Sequence, residues 1–139
     1  TRARARRRAL QAVYAWQMSG GEVGAVIEQF AHEQAHEIAD LEYFDDLVRG
    51  VVRHRATLDV ALVGYLDRPV EEVDPIERAV LRLSAYELLH RPDVPYRVVL
   101  NEAIEIAKRF GSEHGHTYVN GVLDRAAAEW RPVEAQAGR

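Results

Sequence analysis

The chain has 139 residues, 47% hydrophobic and 29% charged, with a formal net charge of −4 and no cysteine. This is the balance of one ordinary globular domain with a real core, and it excludes thiolate zinc sites, iron–sulfur clusters, a cysteine nucleophile and a disulfide scaffold. No apolar run approaches the roughly 20 residues of a membrane span, so a soluble, cytoplasmic protein that makes no membrane contact is expected.

The chain opens on Arg2, Arg4, Arg6, Arg7 and Arg8. Setting these five aside leaves 13 basic residues against 22 acidic ones. An acidic body with one basic arm suits a protein that meets a polyanion at a single place. Residues 1–8 are therefore expected to be a basic arm running into the first helix, 4–131 a single all-α domain, and 132–139 a loose tail. A transit or signal segment is the competing reading of the arm, and Gln11 and Gln17 argue against it by interrupting the apolar stretch. A frayed, merely solvated charged end is the other alternative.

Helical period runs nearly everywhere, and strand alternation is convincing nowhere. The first helix is expected from about Arg4 to Met18, with Ala9, Ala12, Val13 and Trp16 on one side and Ser19-Gly20-Gly21 as its stop. A second follows from Val23 to about His36. The third is the longest, from Asp40 as N-cap to Leu66, and Gly50 or Thr57 is expected to bend or divide it. The fourth starts sharply, with Asp74 as N-cap, Pro75 at the first helical position and Glu77 at the third. Its apolar residues from Ile76 to Leu89 cover most of the circumference, so it belongs in the middle of the fold. Pro92 and Pro95 enforce an extended connection to a fifth helix ended by Gly111, and Pro132 closes a sixth that carries Val119, Val122, Leu123 and Trp130.

Enzyme signatures are sparse. His32-Glu33-Gln34-Ala35-His36 matches the zincin pattern, in which histidines one turn apart hold zinc. A zinc protease also needs a third ligand and a cleft edged by a strand, and the chain offers no strand. His114 and His116 are weaker still as ligands. No phosphate-binding glycine loop, dinucleotide fingerprint or nucleophile elbow is present. No catalytic residue, metal or cofactor is expected, and a binding protein is the economical reading.

Three segments carry a family resemblance: Glu77-Arg78-Ala79-Val80-Leu81-Arg82-Leu83-Ser84-Ala85-Tyr86-Glu87-Leu88 followed by Asp93-Val94-Pro95, then Asn101 to Gly111, then Tyr118-Val119-Asn120-Gly121-Val122-Leu123-Asp124. In order and spacing the chain closely resembles the NusB family of bacterial transcription antitermination factors, from the arginine arm to Trp130. The resemblance implies an all-α fold of two packed three-helix bundles, six or seven helices in all, with a short extra helix where the long third element divides. It implies no enzymatic activity. It implies binding of boxA RNA together with ribosomal protein NusE, within an RNA polymerase antitermination complex that reads through terminators in ribosomal RNA operons.

The arm's five arginines suit phosphates and base faces, and Tyr14 and Tyr118 are candidate stacking platforms. Core packing is the alternative for Tyr14. By resemblance Lys108, Phe110, His116 and Asn120 join the RNA face, with Phe110 and Asn120 equally readable as structural. Tyr65, Glu77, Arg78, Arg82 and Glu87 match the NusE-facing positions. An internal reading competes there, in which Glu77 caps its helix and Arg82 pairs with Glu87 or with an acid on another helix. His114 stands where the family usually carries an acidic or polar residue, which predicts RNA affinity that strengthens below about pH 6.5. Two other readings stay open: an RNA-binding domain detached from a ribosomal RNA cytosine methyltransferase, and a homodimer that buries its arm.

Overall fold

The computed structural model describes residues 2–34 and 40–137, and all regular structure among them is helical. The elements are α1 (Arg2–Ser19), α2 (Val23–Gln34), α3 (Leu41–Val63), a 3₁₀ turn (Val70–Glu72), α4 (Pro75–His90), α5 (Tyr96–Phe110), α6 (Gly115–Trp130) and α7 (Pro132–Ala137). Helices α1 to α3 form one three-helix bundle and α4 to α6 a second, as expected. Helix α4 is the common member, touching α1, α3, α5 and α6. Every residue from Ala79 to Leu88 on α4 is buried, as its continuous apolar circumference requires.

Local chemistry sets the boundaries. Asp74 Oδ1 accepts from the Ile76 and Glu77 backbone N–H groups at 3.0 and 3.2 Å, and Pro75 occupies the first turn. Asp40 caps α3 in the same way through Tyr43 N at 3.0 Å. Gly20 ends α1 at φ +68°, a left-handed conformation that favours glycine, and its N–H reaches Trp16 O at 2.8 Å. The side chains of Leu10, Phe44, Leu47, Leu58 and Leu123 are fully buried, each contributing about 1.5–3 kcal/mol over exposure.

Three expectations change. Helix α1 starts at Arg2, so the arginine cluster is helical rather than partly free. Helix α3 runs undivided through Gly50 and Thr57, and Gly50 serves packing instead of bending: a Cβ there would sit 2.2 Å from Cζ of Tyr86. The expected loose tail contains α7, which Pro132 begins after closing α6. Arg131 and Glu134 anchor it. The Arg131 guanidinium donates to the carbonyls of Glu87, Leu88, Arg91 and Val94, and Glu134 accepts from the Tyr96 N–H at 2.9 Å. The α4–α5 turn is thereby tied to α7.

Candidate nucleic-acid interface

Helical geometry divides the arginine cluster into two groups. Arg2 and Arg6 lie one turn apart and face α3 and α4. Arg6 is only 5% exposed; its Nε lies 3.0 Å from Glu87 Oε1 and its Nη2 2.9 Å from Oε2. The Tyr43 hydroxyl donates to the same carboxylate. Burial alone would lower the Arg6 pKa, but the bonds to Glu87 reverse this and raise it; burial and then Glu87 raise the Tyr43 phenol well above its ordinary value. The guanidinium of Arg2 lies 4.3 Å from the Tyr43 ring centroid and that of Arg91 4.8 Å. Arg6 and Glu87, expected at the RNA and partner faces respectively, thus bond each other across the bundle interface and are buried in this fold.

The second group looks the other way. Arg7 lines an open cavity of about 420 Å³ with Ala3, Glu102, Glu105, Ile106, Lys108 and Arg109. Burial, then the charges of Arg109 and Arg4, lower the Arg7 pKa against a smaller opposing pull from Glu102. A second cavity of about 330 Å³ is lined by Leu10, Gln11, Tyr14, Phe30, Ile76 and Phe110. Arg7, Gln11 and Tyr14 follow one stripe of α1, and Ile106 and Phe110 lie one turn apart on α5. The two cavities thus follow one another along α1 and α5 as one α1–α5 groove of two stretches, the first lined by three cations and two carboxylates, the second by aromatic and aliphatic side chains. Such a groove can hold phosphates at the first and a base face at the second.

Of the expected RNA contacts, Arg7, Lys108, Tyr14 and Phe110 meet in this groove, with Arg4 exposed beside it and Arg8 half-buried, bonded to Gln11. The others lie apart. Tyr118 is engaged with the α3–α4 connection: its hydroxyl donates to Asp67 at 3.1 Å and the Arg68 guanidinium covers its ring at 5.0 Å. Bonds from Arg68, chiefly, hold the Asp67 carboxyl down at about 2. Asn120 and His114 are exposed, and His116 is half-buried with Nδ1 enclosed and unbonded. The sequence reading missed Arg109, Gln11, Phe30 and Ile76.

The expected partner face is largely consumed internally. Arg82, 6% exposed, grips both oxygens of Asp59 at 2.9 and 2.8 Å and donates to Gln17 Oε1 at 2.9 Å. Its acid lies on α3, and Glu87 is not involved. Glu77, 7% exposed, accepts from Ser112 Oγ at 3.0 Å and backs onto Gly115, where a Cβ would stand 2.7 Å from Oε2. Asp74, not Glu77, supplies the cap. Arg78 donates to Glu71 O at 3.1 Å. Tyr65 remains half-exposed, its hydroxyl on Glu129 and its ring edge-on to Trp130 at 5.7 Å. The apolar side chains that reach solvent nearby in sequence are Met18, Val60 and Val63, which adjoin or follow Gln17 and Asp59 of the Arg82 network. In the zincin-like pattern His32 and Glu33 are exposed and His36 lies outside the described residues. No cluster of three metal-ligating side chains occurs among the described residues.

Residues 3–128 match the NusB family. The transcription antitermination protein NusB of Xanthomonas axonopodis pv. citri (strain 306) is 78% identical over 136 residues, covering 98% of this chain and 86% of its own. Among solved structures, T. maritima NusB aligns with TM-score 0.82 at 31% identity over 96% of both chains. A structure of NusB and NusE in complex with dsRNA aligns with TM-score 0.85 at 26% identity, over 92% of this chain and 96% of the other.

Proposed function

The chain belongs to the NusB family of transcription antitermination proteins, and we propose from that membership that it binds boxA RNA along the α1–α5 groove, together with NusE, in an RNA polymerase antitermination complex. The observation that supports the site is the succession of the two cavities along α1 and α5. Arg7, Lys108 and Arg109 stand where phosphates would lie, and Tyr14 and Phe110 where a base would stack. A related NusB has been captured with NusE and dsRNA. A detached methyltransferase domain is not favoured, because the 78%-identical relative is an antitermination protein. No described helix is long and apolar enough to cross a membrane, and work beside RNA polymerase assigns the protein to the cytoplasm.

The NusE contact is proposed at the solvent-exposed Val60, Val63 and Met18 and the half-exposed Tyr65 rather than at Glu77, Arg82 and Glu87, which are bonded within the fold. A predominantly acidic chain body favours a basic partner.

Fluorescence anisotropy of a labelled boxA RNA and a scrambled control, with and without NusE across a salt series, tests the reading. Four groove cations, Arg4, Arg7, Lys108 and Arg109, predict a log–log salt slope of about −2.8 on single-stranded RNA. Arg7→Ala should weaken binding and make the slope shallower by about 0.7. Tyr14→Ala should lose about 1–3 kcal/mol with the slope unchanged. Val60→Asp should weaken NusE binding and leave RNA binding alone intact. Wild-type affinity in Arg7→Ala and Tyr14→Ala would overturn the groove assignment.

A further inference from the structure

One amide stands between the cationic and aromatic stretches of the groove. Gln11 lies one turn beyond Arg7 on α1, lines the aromatic slot, and accepts at Oε1 from Arg8 Nη1 at 2.8 Å. A guanidinium carries donors and no acceptor, so the atom facing Arg8 must be the amide oxygen. The NH2 group is therefore the end left to meet a ligand, and no described residue accepts from it. Apart from the Tyr14 hydroxyl, which both donates and accepts, the slot is otherwise walled by hydrocarbon: Leu10, Phe30, Ile76 and Phe110. Its polar reading is set by a donor with a fixed direction.

We infer that Gln11 is a specificity-determining residue of this groove, donating its amide N–H to the exocyclic keto oxygen of a base stacked in the slot, with Arg8 as the residue that positions it. This rests on the groove being the RNA site and adds which base it selects. Uracil presents O4, an acceptor, where cytosine presents an amino group. Against cytosine two donors would face each other, and neither would find its partner in the other. The two pyrimidines have the same size and charge, so stacking and phosphate contacts do not separate them.

The test measures anisotropy of labelled oligo(U) and oligo(C) of equal length with the whole chain at one salt concentration. Wild type should favour oligo(U) by about fivefold, the scale of one polar group that the stacked base covers and leaves unpaired. Gln11→Leu should bring the ratio near one. Gln11→Glu should shift it toward oligo(C), since a carboxylate accepts from the cytosine amino group. Arg8→Lys, still a pure donor, should keep the preference, whereas Arg8→Ala should relax it by freeing the amide to turn over. The ratio is the informative readout, because a merely structural role for either residue would scale both affinities together. A wild-type ratio of one, or one unchanged in Gln11→Leu, overturns the inference if Tyr14→Ala still weakens both RNAs. If Tyr14→Ala and Arg7→Ala change neither affinity, the groove itself is wrong and the inference falls with it.

Discussion

Removing Arg6 should unfold the protein before it affects RNA binding. Its guanidinium and the Tyr43 hydroxyl supply the donors that hold Glu87 buried between the bundles. Arg6→Met leaves that carboxylate with Tyr43 alone, and Glu87→Leu strands both a buried cation and a buried hydroxyl. Breaking a buried ion pair from one side costs about 3–5 kcal/mol. For a domain of this length each kcal/mol is worth about 4 °C of Tm, so either substitution should lower Tm by about 12–20 °C. Replacing the whole set, Arg6→Met with Glu87→Leu and Tyr43→Phe, leaves no orphaned polar group and should recover most of the loss. Urea unfolding followed by circular dichroism measures each variant as a shift in midpoint at constant slope. RNA affinity and its salt slope in folded Arg6→Met should match wild type, because the Arg6 guanidinium is engaged by Glu87 inside the fold. A loss under about 0.5 kcal/mol, as at an exposed arginine, would refute the assignment. So would a triple variant as unstable as the worse single one.

Arg131→Met should cost about 2–3 kcal/mol, since its guanidinium satisfies carbonyls at the end of α4 and in the α4–α5 turn; hydrogen exchange of the turn amides should accelerate more than that of α1. Gly50→Ala should cost about 1–3 kcal/mol by forcing a methyl into the Tyr86 ring, and a wild-type urea midpoint would mean that ring gives way freely. Burial, then the neighbouring His54, lowers the His90 pKa below 6.5, against a smaller opposing pull from Asp46. The unfolded chain then binds the proton more readily, so this contribution to stability is complete well above pH 6.5 and is lost as the pH falls through that value toward the folded pKa. His90→Gln should flatten the urea midpoint between pH 7.5 and 5.5 relative to wild type, and parallel curves would contradict this.

The fold was legible where chemistry is local. Asp74 and Pro75 announce the start of α4 whatever surrounds them, and its apolar circumference places it centrally because no other position removes all of that surface from water. What escaped depends on distant partners. Helix α7 has too few residues to display a period, and it is held by Arg131 and by the Tyr96 N–H, which the sequence gives no cause to connect with Glu134. Gly50 looks like a hinge because glycine is costly inside a helix. The Tyr86 ring that makes it necessary lies on another element.

The site presents a different case, since part of what was missed could have been read from helical geometry. Once the arginine cluster is placed on a helix, Arg6 extends the buried stripe of Ala9, Leu10 and Val13, while Arg7 extends the Gln11 and Tyr14 stripe toward α5. A row of arginines on a helix is therefore two surfaces, one turned into the bundle interface through Arg6 and the other toward α5 through Arg7. The same geometry separates Arg82 from Glu87: five residues rotate a helix by about 140° past a full turn, so the two point to nearly opposite sides and each must find a partner on another element. Arg82 finds Asp59 on α3 and Glu87 finds Arg6 on α1. A helix buried all round can carry charge only if its neighbours supply counter-charge on each side. Arg82 and Glu87 therefore join the two bundles, while side chains such as Val60 and Val63 are left in solvent by the packing.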